Sequence, residues 1–97
     1  MFPVGEPCFV ISVAARIIGV HAQTLRYYER VGLIWPSRTG GRQRLYSVAD
    51  IERLRRIKSL TEDMGVNLAG AEVALKLMMR IEELEREVKG LTEQVRT

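Results

Sequence analysis

Arginines cluster in this chain where aromatic and turn residues also gather. Arg26 stands beside Tyr27 and Tyr28 in the run Thr24-Leu-Arg-Tyr-Tyr-Glu-Arg-Val-Gly-Leu-Ile, and Arg38, Arg42 and Arg44 bracket the pair Gly40-Gly41. Guanidinium groups and tyrosine hydroxyls hold phosphate oxygens. Arginine also pairs with guanine, glutamine with adenine, and a small apolar side chain can touch the thymine methyl. His21, Ala22, Gln23 and Thr24 open the segment that carries Arg26. That is the N-terminal end of a helix, from which base edges are read in the major groove. Arg16 on a preceding helix, and Gln43 and Tyr46 beside the hairpin arginines, complete the candidate DNA contacts.

The residues for catalysis are sparse. His21 is the one histidine and Cys8 the one cysteine. No nucleophile, base and orienting acid can be assembled around a single histidine by any known spacing. One cysteine permits no intrachain disulfide and no cysteine-rich metal site, so Cys8 is expected to be a small buried hydrophobe. Gly40-Gly41 lacks the Lys-Ser/Thr of a phosphate-binding loop. Glu82, Glu83, Glu85 and Glu87 form an acidic cluster best explained as a solvated helix flank. No cofactor, no metal and no enzymatic activity are expected.

The elements that must position the arginines can be read from turn and cap signals. Phe9 to Ile11 is a short apolar run suited to a strand, and Ser12 can cap a helix from Val13 to Ile18 that ends at Gly19. A second helix is predicted from Ala22 to about Arg30, stopping at Gly32. Two helices so close, with glycine in the turn, read as helix-turn-helix. Ala14, Ala15, Ile18, Val20 and Leu25 should pack them together and leave Thr24, Tyr27 and Tyr28 freer to face outward, with one of the two tyrosines open to a partly core position. Residues 37–39 and 43–46 flank the glycine pair as a hairpin. Ser47 and Asp50 resemble a capping box opening a third helix, whose apolar positions are Ile51, Leu54, Ile57 and Leu60. Asn67 caps the last helix. There Ala74, Leu77, Ile81, Leu84, Val88, Leu91 and Val95 recur at spacings of 3, 4, 3, 4, 3 and 4. This is the a/d pattern of a coiled coil, and a lone helix of that kind wants a partner. Gly90 falls inside it and costs roughly 1 kcal/mol relative to alanine.

Charge divides the chain in the same way. Residues 1–58 carry ten Lys/Arg against four acids, a net +6, and residues 59–97 carry five against eight, a net −3. The basic front suits a polyanion and the acidic back does not. Ninety-seven residues leave limited room for a core, so a partner subunit would add stability. No apolar run approaches the roughly 20 residues that span a bilayer, and the N-terminus lacks the features of a signal peptide. A cytoplasmic, nucleoid-associated protein is expected.

Thr24 to Ile34 closely resembles the recognition-helix signature of the MerR family of bacterial transcription regulators. Pro36 to Gly41 with Arg44-Leu-Tyr-Ser47 is similar to that family's first wing, and Asp50 to Ile57 to the start of its third helix. The resemblance covers about Val10 to Leu77. It departs at Gln43, where the family has tyrosine, and at Trp35, where an acidic residue is usual. It implies a winged helix-turn-helix domain and a long C-terminal helix paired antiparallel in a homodimer on an inverted-repeat promoter site. Val10 to Ala15, His21 to Arg26 and Asn67 to Gly70 are similar to the heat-shock repressor branch, HspR. That likeness implies repression of chaperone genes, with the chaperone DnaK as a possible co-repressor. Metal sensors of the family place several cysteines near the coiled coil, where this chain has none, so metal sensing is not expected, and neither is a drug-binding domain after the coiled coil.

The expected fold is mainly α, with an N-terminal arm at 1–9, a winged helix-turn-helix domain at 10–72 and a coiled-coil dimerisation helix at 73–97. The dimer seam is expected to comprise Leu77, Ile81, Leu84, Val88, Leu91 and Val95. The expected partners are double-stranded DNA and a second copy of the chain. The alternatives are a regulator of another stress regulon, a coiled-coil adaptor that binds protein, and an excisionase-like DNA bender.

Overall fold

The structure, a computed structural model, describes residues 4–96. Strand β1 (Phe9–Val10) leads directly into helix α1 (Ile11–Ile18), followed by α2 (Ala22–Arg30), β2 (Ser37–Arg38), β3 (Arg44–Tyr46), α3 (Val48–Lys58) and α4 (Leu68–Arg96). The three strands form one antiparallel sheet in the order β1-β3-β2. Phe9 pairs with Tyr46, and Arg38 pairs with Arg44. The wing is therefore tied to the start of the chain, and Val4 reinforces that tie by accepting a backbone bond from Ala49 at 3.0 Å.

Helix α1 begins two residues earlier than its sequence suggests. Val10, not Ser12, is the N-cap, and no side chain caps the helix. The strand pairing of Val10 with Leu45 fixes where the chain leaves the sheet, and this outweighs the capping preference of Ser12. The C-terminus follows expectation, since Gly19 adopts φ 84° and its N–H bonds the Ala15 carbonyl. Lys58, from α3, donates Nζ to the Ile18 carbonyl at 3.0 Å, placing a cation on the negative end of α1. Helix α2 has the predicted bounds. Its exit turns at Gly32, where φ is 82°.

The capping box of α3 is complete. Asp50 N–H donates to Ser47 Oγ at 3.0 Å, and Ser47 N–H donates to the Asp50 carboxylate at 2.8 Å. A five-residue π-helical segment, Ser59–Asp63, extends α3. Thr61 Oγ1 donates to the Ile57 carbonyl at 2.8 Å, which helps to widen this last turn. Asn67 Oδ1 then accepts from Gly70 N–H at 2.7 Å as the cap of α4.

One core joins α1, α2, α3, the sheet and the beginning of α4, with Leu25, Leu33, Ile34, Tyr46, Leu54, Ile57 and Leu75 fully buried at its centre. The apolar face of α4 is divided. Ala71 and Leu75 are buried against the chain's own core, with Ala74 and Met78 packed at its edge. Leu77, Ile81, Leu84, Val88, Leu91 and Val95 are exposed. The helix has 29 residues, a length of about 43 Å at 1.5 Å per residue. Its first turns thus lie on the domain and its later turns project from it.

Candidate nucleic-acid interface

The outward face of α2 and the wing converge on one cleft. Gln23, Arg26, Glu29 and Arg30 line it from the helix, and Arg38 and Arg44 line it from the two wing strands. The cleft measures about 460 Å³. Helical spacing explains the first set. Residues three and four apart share a face, and Leu25 and Tyr28 on the other face are locked in the core. Strand pairing explains the second, because Arg38 lies directly across from Arg44.

Glu29 connects the two halves. Its Oε2 accepts from Arg38 at 2.9 Å and its Oε1 from Arg44 Nε at 2.6 Å. Partial burial pushes the Glu29 carboxyl upward, but the hydrogen bonds and charges of Arg44 and Arg38 outweigh it and hold the group below the usual glutamate range. Arg38 also donates to the Arg42 carbonyl at 3.1 Å. Arg42 closes the hairpin with φ 66°, and its N–H bonds Thr39 at 2.8 Å. The left-handed position of this turn is thus held by an arginine, although two glycines stand immediately before it. Thr39 Oγ1 supports the bend by accepting from the Gln43 N–H at 3.0 Å.

The remaining candidates fall into three groups. His21 and Gln23 are exposed at the N-terminal end of α2, where Ala22 and Thr24 are half-buried. His21 caps with its backbone carbonyl, which accepts from Thr24 N–H at 2.9 Å, and not with its ring. Tyr27 is 40% exposed and lies under Arg30, whose guanidinium carbon is 5.4 Å from the ring centroid. Arg16, Arg42 and Gln43 are exposed outside the cleft, on α1 and the hairpin.

Two tyrosines require correction. Tyr28, counted among the DNA contacts, is the one of the Tyr27-Tyr28 pair that enters the core, at 5% exposure. Tyr46, expected among the DNA contacts, is completely buried. Tyr28 follows Leu25 by three residues and so takes the same inward face. Tyr46 pairs with Phe9 in the central strand, with its ring in the core and its buried hydroxyl unpartnered among the described residues. Burial raises the Tyr46 hydroxyl above its ordinary value. Sequence reading missed Glu29 and Arg30 as members of the cleft. Glu29 sits inside the aromatic-basic run, but its partners lie nine and fifteen residues away.

Trp35 is 67% exposed, with the Arg53 guanidinium 5.0 Å over its ring. Arg53 Nε donates to the Leu33 carbonyl at 2.6 Å, so this pair braces the exit from α2. Cys8 is half-buried, and desolvation, with Glu6 adding to it, raises its thiol above the ordinary value. Among the described residues, no group of three or more His, Cys, Asp or Glu side chains could hold a metal ion. No helix there is long and apolar enough to cross a membrane.

Two helices joined by a tight turn, a basic hairpin beside the second and a three-stranded sheet define a winged helix-turn-helix domain. Residues 9–77 match the MerR HTH family regulatory protein pattern, and the chain belongs to that family of DNA-binding transcription regulators. It is similar to HspR of Streptomyces coelicolor, a protein named for heat shock, at 51% identity over 81% of this chain and 52% of that protein. It is also similar to the transcriptional regulator GlnR of Bacillus anthracis, at 39% identity over 71% of this chain and 53% of that one. The chain thus spans about half the length of these curated relatives. Among solved structures, a MerR family regulator from Bacillus cereus superposes with a TM-score of 0.65 at 30% identity, covering 91% of this chain and 70% of that one. HiNmlR, a MerR family regulator lacking the sensor domain and bound to promoter DNA, shares the fold. Its TM-score is 0.66 at 23% identity, with 90% and 72% covered.

Proposed function

We propose that this protein is a homodimeric repressor that binds an inverted repeat in promoters of heat-shock genes. The observation that carries the DNA contact is the cleft. It joins Gln23 and Arg26, suited to base edges, with Arg38 and Arg44, suited to phosphates. In this reading His21 and Ala22 enter the major groove with Gln23, while Thr24 and Tyr27 hold the flanking backbone. Arg42 and Gln43 at the hairpin tip, and Arg16 on α1, reach phosphates further out. The heat-shock assignment is supported by the 51% identity to a protein named for that response. The exposed seam of α4 supports the dimer. The protein acts in the cytoplasm, at the nucleoid. The likeness to the heat-shock repressor branch adds DnaK as co-repressor, and the exposed Trp35 offers a surface for such a protein contact.

The test is competition binding on genomic fragments with wild type and Arg26→Ala. Losing one good bidentate base contact should cost roughly 1–3 kcal/mol on the preferred fragment and relax its sequence preference. Unchanged affinity and preference in Arg26→Ala would refute the recognition-helix assignment.

A further inference from the structure

Arg38 and Arg44 face each other across a strand pair at the mouth of the cleft. Like charges in that relation repel. One carboxylate relieves them: each oxygen of Glu29 takes one guanidinium, at 2.9 and 2.6 Å. These are the lengths of charge-assisted bonds, and a phosphate would make the same kind. Of the residues lining the cleft, four are arginines and Glu29 is the one acid.

From this arrangement we infer that Glu29 is an internal stand-in for phosphate that competes with the DNA backbone for Arg38 and Arg44 and so sets how many wing arginines grip a random duplex. The inference rests on the DNA-binding reading above. A backbone entering the cleft must compete with Glu29 for both arginines. On a random duplex nothing offsets that competition. On the preferred site, base contacts from Gln23 and Arg26 hold the backbone in place while the arginines change partner. Glu29 is a positioning residue in this scheme and acts through the two arginines, without touching DNA itself.

Salt dependence isolates the effect. Each phosphate neutralised contributes about −0.9 to the slope of log K against log salt. Removing the competing carboxylate with Glu29→Gln frees one or two arginines for random backbone. On a duplex of scrambled sequence the slope should therefore steepen by about 0.9 to 1.8. A fourfold drop in salt should then separate variant from wild type by at least about 3.5-fold. On the preferred duplex, where the arginines already change partner, the slope should stay at the wild-type value while the affinity rises at least as much as on the scrambled duplex. Glu29→Asp, which keeps the negative charge in the cleft, should retain the wild-type slope, and thermal melts should show both variants folded.

An unchanged random-duplex slope in Glu29→Gln, with wild type binding normally, would overturn the inference. So would an equal loss on both duplexes at constant slope, which is the signature of a merely structural brace. If wild type bound no duplex in a salt-dependent way, the DNA-binding reading itself would fall, and this inference with it.

Discussion

Leu84→Lys tests the exposed seam of α4. Leu84 is 42% exposed and sits at the middle of an apolar trough with Ile81 and Val88. No side chain of α4 beyond Met78 belongs to the chain's own core, so the substitution should leave the protomer folded. Full burial of a leucine contributes about 1.5–3 kcal/mol relative to full exposure. Covering the remaining part of Leu84 is therefore worth about 1 kcal/mol per copy, and a two-fold seam loses it twice. Each lysine that enters the seam adds a desolvation cost of about 1 kcal/mol or more. The total approaches 4 kcal/mol, roughly a thousandfold in the dimer Kd. Sedimentation at micromolar concentration should show wild-type dimers and Leu84→Lys monomers with matching helical circular dichroism. Operator binding by the variant should fall sharply because two linked half-sites bind far more tightly than two separate ones. Variant dimers of wild-type affinity would refute the seam, and a wild-type monomer would refute the dimer itself.

Three further outcomes follow from the geometry. Tyr46→Phe removes a buried hydroxyl that has no partner among the described residues, so denaturation should show stability unchanged or raised by about 1 kcal/mol; a clear loss would mean the hydroxyl is satisfied. Arg42→Gly relieves a left-handed side chain at φ 66°, worth about 1–2 kcal/mol, against roughly 0.5–1 kcal/mol of added backbone entropy. The hairpin should therefore be slightly more stable while all duplexes bind more weakly, and a destabilised variant would contradict the turn geometry. Glu29 has a folded-state pKa below its ordinary 4.5, so the stability it contributes is present above that value and is lost as pH falls through the folded value. The stability gap between wild type and Glu29→Gln should shrink on acidification below about pH 4.5, and a constant gap would argue against the ion pairs.

The parts of the fold set by local chemistry were legible in the sequence. The bounds of α2, the Ser47–Asp50 box and the Asn67 cap each depend on residues within one or two turns of one another. What the sequence hid was set across the chain. The start of α1 depends on the pairing of Val10 with Leu45, 35 positions away. The fate of the tyrosines depends on which neighbours fill the core. Tyrosine has an apolar body and a polar tip and suits either side, so Tyr28 and Tyr46 read as contacts until Leu25, Phe9 and the sheet claimed them. The Glu29 clamp depends on the hairpin folding back over α2, and nothing in the local run announces it. The division of the α4 face was also invisible, because Leu75 and Leu77 are the same residue type two positions apart, one buried and one exposed.

Selection of bound fragments from randomised or genomic DNA tests the central claim most directly. The account predicts enrichment of a single inverted repeat whose half-sites lie on one face of the duplex, about one helical turn or a multiple apart, with its strongest occurrences upstream of chaperone genes. Enrichment of unpaired half-sites, or no enrichment over random sequence, would contradict it.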